Sequence, residues 1–278
     1  MNNKLFYIIA SGPSYMDITE EEWKYLENKH TITFTRVPYG GRRTEYYLSI
    51  EGFYVDKEVL EYMAKLGYLD TNLLLYIPES LKLAKELGFK KIRQIVKGNF
   101  YFMPSMKPWF TNESNPPHTF LETRAKSFRQ PLFRFRGQLT AVINACIILG
   151  ASEIRLISVD LNSQKSFYQY PELLNKVCED KGVIERYIDY NNKRHDIEMN
   201  DVVKEYSKFD LNTMHSTNTP LYESKWEGKS IRGIADVLEW INKEMKSEGM
   251  DGLYICNKES LLYKQNKLEY RGILDESC

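Results

Sequence analysis

Four histidines and four cysteines are the scarcest reactive side chains in this sequence of 278 residues, so the setting of each is informative. His215 lies in "LNTMHSTNTPLY", residues 211–222, between Thr213 and Thr217, beside Ser216 and shortly before Pro220. Such a segment has neither helical nor strand periodicity, which leaves the imidazole open to a substrate. An imidazole titrates near neutrality, as a general base must. His30 follows a helix end, His118 follows Pro116 and Pro117, and His195 is flanked by charges in "NKRHD". Those three read as structural or surface residues, and His215 is the candidate base.

Three other stretches hold groups that can contact a ligand. In "IIASGPS" a strand runs into Ser11, Gly12, Pro13 and Ser14. Gly12 permits close backbone approach, and the serines offer hydroxyls to a ribose or phosphate. Read conservatively, the same residues are a Gly-Pro turn. "RLISVD" ends in Asp160, at the strand end where open α/β sheets bind ligands. "SFYQY" brings Phe167, Tyr168 and Tyr170 together. Phenols aimed at a departing phosphate can stabilise its developing charge without a metal; otherwise they serve packing. No D-x-D occurs, and neither G-x-G-x-x-G nor a P-loop is present, which disfavours common dinucleotide and NTP enzymes.

Placing these groups requires an α/β scaffold. "KLFYIIASGPS", "TITFTRV", "TNLLLYI" and "KKIRQIVK" read as four strands. Between them, "ITEEEWKYLEN", "VDKEVLEYMAKLG" and "PESLKLAKELG" read as helices, the last two closed by Gly67 and Gly88. Alternation at this spacing implies crossovers and a mostly parallel sheet. The rhythm lapses between Gly98 and Arg136, where five prolines preclude a continuous helix. It resumes with "GQLTAVINACIILG", apolar nearly all round and so a buried helix, and with the strand "EIRLISVD". "SIRGIADVLEWINKEM" is an amphipathic helix with Ser230 as its expected N-cap, and "GLYIC" is read as the last strand. The expected architecture is a single Rossmann-like domain over 1–161 and 229–278, with a lid-like insertion over 162–228.

Composition narrows the partners. Lys+Arg and Asp+Glu balance at 38 each, so no overall field favours nucleic acid or an anionic membrane. Arg36, Arg42, Arg43, Arg134 and Arg136 are candidates for a local basic patch. Twenty tyrosines suit sugar or nucleotide stacking as well as a core. Cys146, Cys178, Cys256 and Cys278 form no C-x-x-C pair, which argues against a zinc site or a disulfide framework and for a reducing compartment. The apolar run at the N-terminus is too short for a signal peptide, so a cytoplasmic location is expected. Peripheral contact with the inner face of the membrane is left open by Lys258, Lys264 and Lys267, which Glu259, Glu269, Asp275 and Glu276 dilute.

The order of four islands carries a resemblance. "IIASGPS", "GASEIRLISVDL", "HSTNTP" and "GLYICNKESLL" together resemble the bacterial sialyltransferases of lipooligosaccharide assembly, glycosyltransferase family 42. The similarity follows most of the chain by order, with identity concentrated in these islands. It implies a variant of the single-Rossmann (GT-A) fold, no cofactor, and inverting, metal-independent transfer from a CMP-sugar donor to a glycan acceptor. It also implies a homo-oligomer, as family members form tetramers. His215 matches the family's base, and Tyr168 matches the second of two tyrosines that hold the departing phosphate. Asn162 stands where the first tyrosine is expected, and Tyr170 is its candidate substitute. Gly12, Pro13 and Ser14 match the donor turn, with Ser11 in place of an asparagine, and Ser260 matches the donor-pocket segment.

Two departures point to the donor's identity. The family's T-S-G before the buried helix is Arg136, Gly137 and Gln138 here, and its C-N-Q-F after the second strand is "RVPY", Arg36 to Tyr39. Both changes introduce arginine and point from sialic acid itself toward another CMP-linked ulosonic acid, such as Kdo or a nonulosonic relative, whose carboxylate arginine can grip, or toward a phosphorylated acceptor. Two other classes stay open: a Rossmann-type nucleotide or pterin diphosphokinase-like enzyme, which needs clustered carboxylates for Mg²⁺, and a catalytically degenerate nucleotide- or glycan-binding module.

Overall fold

The computed structural model describes residues 4–49, 53–68, 70–76, 85, 98–103, 106–108, 120–134, 138–162, 166–185 and 233–276. Strand β1 (Lys4–Ile9) is followed by helix α1 (Glu20–Leu26) and β2 (His30–Phe34). β3 (Tyr46–Ser49), α2 (Phe53–Lys65), β4 (Asn72–Tyr76) and β5 (Phe100–Met103) then extend the sheet outward. After a small parallel pair, β6 (Met106–Pro108) with β7 (Leu132–Arg134), and helix α3 (Phe120–Thr123), the chain returns through α4 (Leu139–Ile148) to β8 (Ala151–Ile157). It then adds α5 (Pro171–Val177), α6 (Ile234–Ser247), β9 (Gly252–Ile255), α7 (Leu261–Lys264) and β10 (Glu269–Tyr270).

The main sheet runs β10-β9-β8-β1-β2-β3-β4-β5, and every pairing in it is parallel. Strands after β1 are laid down on one side of it, and strands from β8 onward on the other. The strand order therefore reverses between β1 and β8. An open α/β sheet forms its ligand crevice at the carboxyl ends of the strands flanking such a reversal.

Alternation along β1 shows why the sheet is covered on both faces. Phe6 and Ile8 point into an apolar layer completed by α4 and α6, while Tyr7 and Ile9 point into a second layer with α1 and α2. α4 is buried along most of its length, as its sequence requires, and it packs over β1, β2 and β8. Its one buried amide, Asn144, accepts from Ala125 N and Phe133 N and donates to Ala125 O, so it anchors residues 125–133 on this helix. Capping explains the start of α1: Thr19 and Glu22 form a reciprocal capping box.

Several boundaries differ from the sequence reading. "TITFTRV" is shorter as a strand, because Thr35 turns the chain with φ 56° and residues 37–40 coil into a 3-10 turn. "EYYLS" adds β3, which the sequence reading passed over between two polar turns. The strand before Asp160 ends at Ile157, since Ser158 adopts φ 57°. Gly233, not Ser230, caps α6, and β10 follows "GLYIC" as a further strand. Most of "PESLKLAKELG" and all of "KKIRQIVK" apart from Gly98 beyond it lie outside the described residues.

Within the expected insertion, residues 166–185 are described. Phe167, Leu174, Cys178 and Val183 are buried in the layer beside α1 and α2. Residues 186–232 lie outside the described residues. No described helix is long and apolar enough to cross a membrane.

Candidate functional site

The crevice at the β1/β8 reversal is built from the loops after β1, β2, β8 and β9. Ala10 N donates to Ile157 O and Gly12 N to Ser158 O, which carries the parallel pairing one turn past the strands. The turn then bends through residues 13–17, with Pro13 at its first position. Asp160 closes it. Its carboxylate accepts from Ser14 N at 2.9 Å, Ser14 Oγ at 2.5 Å and Asn257 Nδ2 at 2.8 Å. A Cβ on Gly12 would stand 2.4 Å from Asp160 Oδ2, so the glycine is required by this carboxylate. Asp160 and Ser14, both expected to meet the ligand, bond to each other and set the shape of the turn.

Two further expected contacts are likewise engaged within the protein. Ser260 is fully buried: its hydroxyl donates to Val159 O at 2.6 Å and, as the N-cap of α7, accepts from Leu262 N. Asn162 donates its amide to Glu259 O at 3.1 Å. With Leu261 N bonded to Asp160 O, these contacts tie the β8 and β9 loops together. Ser260 and Asn162, both expected as ligand contacts, brace these loops.

The groups that border the opening from the β2 side are differently placed. Ser11 Oγ lies 2.9 Å from Ser166 Oγ, and Phe167 N donates to Ser11 O at 2.7 Å, so the "SFYQY" segment is fastened directly to the Gly-Pro-Ser turn. Phe167 stacks on Tyr15 at 4.4 Å, and Tyr168 stands edge-on to Phe167. The Arg36 guanidinium lies 6.0 Å from the centre of the Tyr168 ring. Tyr170 begins α5, its carbonyl accepting from Leu173 N and Leu174 N. Burial raises the Tyr15 hydroxyl well above the usual phenol range, so it is neutral at physiological pH. That ring packs so closely on Gly40 that a Cβ there would lie 2.1 Å from its oxygen.

Strain and unsatisfied polarity concentrate at the same edge. Thr35, Ser158 and Leu161 all have positive φ, at 56°, 57° and 58°. For residues with a Cβ this conformation costs on the order of 1 kcal/mol or more each. Among the described residues, Thr35 Oγ1, Ser158 Oγ and Gln138 Oε1 are buried with no hydrogen-bond partner. Gln138 is the N-cap residue of α4, and its side chain makes no capping hydrogen bond. Thr35 and Ser158 were not singled out in the sequence. Their signal was weak but present: each is a hydroxyl residue at the carboxyl end of an apolar strand.

His215, Arg136 and Gly137 lie outside the described residues, as do His118 and His195. His30 stacks on Phe6 and pairs with Glu45 at 2.7 Å, a structural placement as expected. Among the described residues no group of three or more His, Cys, Asp or Glu side chains is arranged to hold a metal ion. Cys146, Cys178 and Cys256 are free thiols. No protein-family model, curated protein or solved structure matches the chain.

Proposed function

We propose that the protein is an inverting glycosyltransferase that moves an acidic sugar, sialic acid or a related ulosonic acid, from a CMP donor to a cell-surface glycan without a metal ion. The observation that carries this reading is the meeting at one crevice of three separated stretches of sequence. They are the Gly-Pro-Ser turn, the Phe167–Tyr170 segment fastened to it through Ser11, and the β9 loop fastened through Asp160 and Asn257. The Gly-Pro-Ser turn, the Asp160 strand end and the β9 loop belong to islands on which the resemblance to the sialyltransferases rests, Tyr168 is matched by position, and all lie at the strand reversal where α/β sheets take nucleotides.

In this mechanism His215 takes the proton of the acceptor hydroxyl as its oxygen attacks the anomeric carbon. The new C–O bond forms on the face opposite the leaving group, and CMP departs with the electrons of the broken bond. Tyr168, with Tyr170 beside it, donates to the phosphate as its charge grows. Arg36, close to Tyr168, is suited to the sugar carboxylate. A ligand accepting from Thr35 Oγ1 would relieve a buried hydroxyl that has no partner among the described residues.

Thermal melting tests the reading, with the CMP arm in EDTA and the ATP arm in Mg²⁺ without chelator. CMP at a hundredfold excess over its dissociation constant raises the melting temperature by about 5 °C, whereas ATP with Mg²⁺ does not. Stabilisation by ATP with Mg²⁺ alone would favour the diphosphokinase class instead. His215→Ala lowers turnover of CMP-ulosonic donors by two or more orders of magnitude while leaving CMP affinity within about twofold. Unchanged turnover removes His215 from the mechanism.

A further inference from the structure

A cleft opens between the Gly-Pro-Ser turn, the start of α1 and the loops that follow β8 and β9. Its floor is apolar, formed by Ile157, Ile18 and Ile273 with the Cys256 thiol. Its rim carries the carboxylates of Asp17 and Glu22, and no described residue lining it is basic. Glu22 spends only one oxygen on its helix: Oε2 accepts from both Thr19 N and Thr19 Oγ1, leaving Oε1 uncommitted by that box. The other polar groups at the rim are held elsewhere, Ser14 and Asn257 both by Asp160.

Ser158 supplies an independent sign of a ligand. It lines this cleft, is only 3% exposed, and its hydroxyl has no hydrogen-bond partner among the described residues. A buried hydroxyl without a partner costs about 1–3 kcal/mol, and its backbone is held in the left-handed region as well. An occupant that bonds this hydroxyl would remove that cost.

We infer that the cleft binds a small primary amine, its carbon chain on the isoleucine floor and its ammonium group between Asp17 and Glu22, within reach of the Ser158 hydroxyl. Each feature contributes to the choice. Two carboxylates with no basic side chain in the lining select a cation, and the apolar residues select an organic one over a hydrated metal ion. Three hydrogens on an ammonium match the acceptors available from two carboxylates and one hydroxyl. The cleft shares Ser14 and Ser158 with the strand-reversal edge, but it takes a different ligand, and His215, Tyr168 and Arg36 of the transfer step do not line it.

Saturation-transfer NMR with n-butylammonium chloride, against sodium butyrate at equal ionic strength, tests it on the full chain. n-Butylammonium binds saturably to the wild type and butyrate does not. The Asp17→Asn/Glu22→Gln double variant binds the amine at least tenfold more weakly, and Asp17→Asn alone weakens it by a smaller factor. Gln retains the capping box, so the double variant keeps α1. Absence of saturable amine binding, equal binding of butyrate, or an affinity within twofold of wild type in the double variant overturns the proposal.

Discussion

Two sets of buried polar side chains lie within a few strands of one another and are treated in opposite ways. Beside the C-terminal segment, Arg155 is fully buried and donates from Nε to Glu153 Oε1 at 2.7 Å and from Nη1 to Gly272 O and Asp275 O. Arg271 completes the group, pairing with Glu153 Oε2 at 2.9 Å and stacking on Tyr254 at 3.7 Å. Only Arg155 Nη2 goes without a partner. At the strand reversal, by contrast, Thr35 and Ser158 combine positive φ with unpartnered hydroxyls. The first set fastens residues 271–276 to the sheet and has little left to offer a ligand. The second retains both bonding capacity and strain, which is what a binding edge needs.

Mutations that break the first region should therefore destabilise, and mutations that relax the second should stabilise at a cost in binding. The largest effect is expected from Arg155→Ala, which leaves Glu153 buried with only Arg271 beside it. Urea unfolding should show a loss of about 4 kcal/mol. Asp160→Ala strands Ser14 N and Asn257 Nδ2, and should lose about 3 kcal/mol by the same measurement. Gly12→Ala drives a Cβ into the Asp160 carboxylate, for a loss of about 2 kcal/mol. Thr35→Gly should reverse the sign, gaining about 1 kcal/mol by releasing the left-handed backbone while weakening CMP severalfold. Loss of stability in Thr35→Gly would mean that the edge is not strained and would dissolve the contrast.

Alkaline pH gives a finer probe of the fastened region. Burial pushes the Cys256 thiol up to about 12 from an ordinary 9.0, with Arg155 pulling weakly the other way. As pH rises through 9 the unfolded chain loses this proton first, so the contribution is full below about pH 9 and declines toward 12. Between pH 8 and 10 the wild type should lose about 1 kcal/mol more than Cys256→Ser. Equal losses in the two proteins would show that the thiol is not held in this environment.

The sheet was legible because its strands are short apolar runs separated by well-signposted helices. Gly67 and the apolar α4 mark boundaries in sequence and structure alike. β3 escaped because "EYYLSI" is too brief to stand out between polar turns, and β10 because two residues carry no period. The site was less legible. Gly12, Ser14 and Asp160 do converge, yet the sequence could not say that a carboxylate 146 residues away from Ser14 would fill the turn. Nor could it reveal which hydroxyls remain without partners, since Thr35 and Ser158 acquire that property only through backbone conformation and packing.

The most direct test of a nucleotide site at the strand reversal is a titration of CMP into the isotope-labelled protein in EDTA, followed through backbone amide shifts. Saturable shifts centred on Ser11, Gly12, Thr35 and Tyr168 are the expected result. Absence of saturable shifts, or shifts centred on the opposite ends of the strands near Lys4 and Glu153, would contradict it.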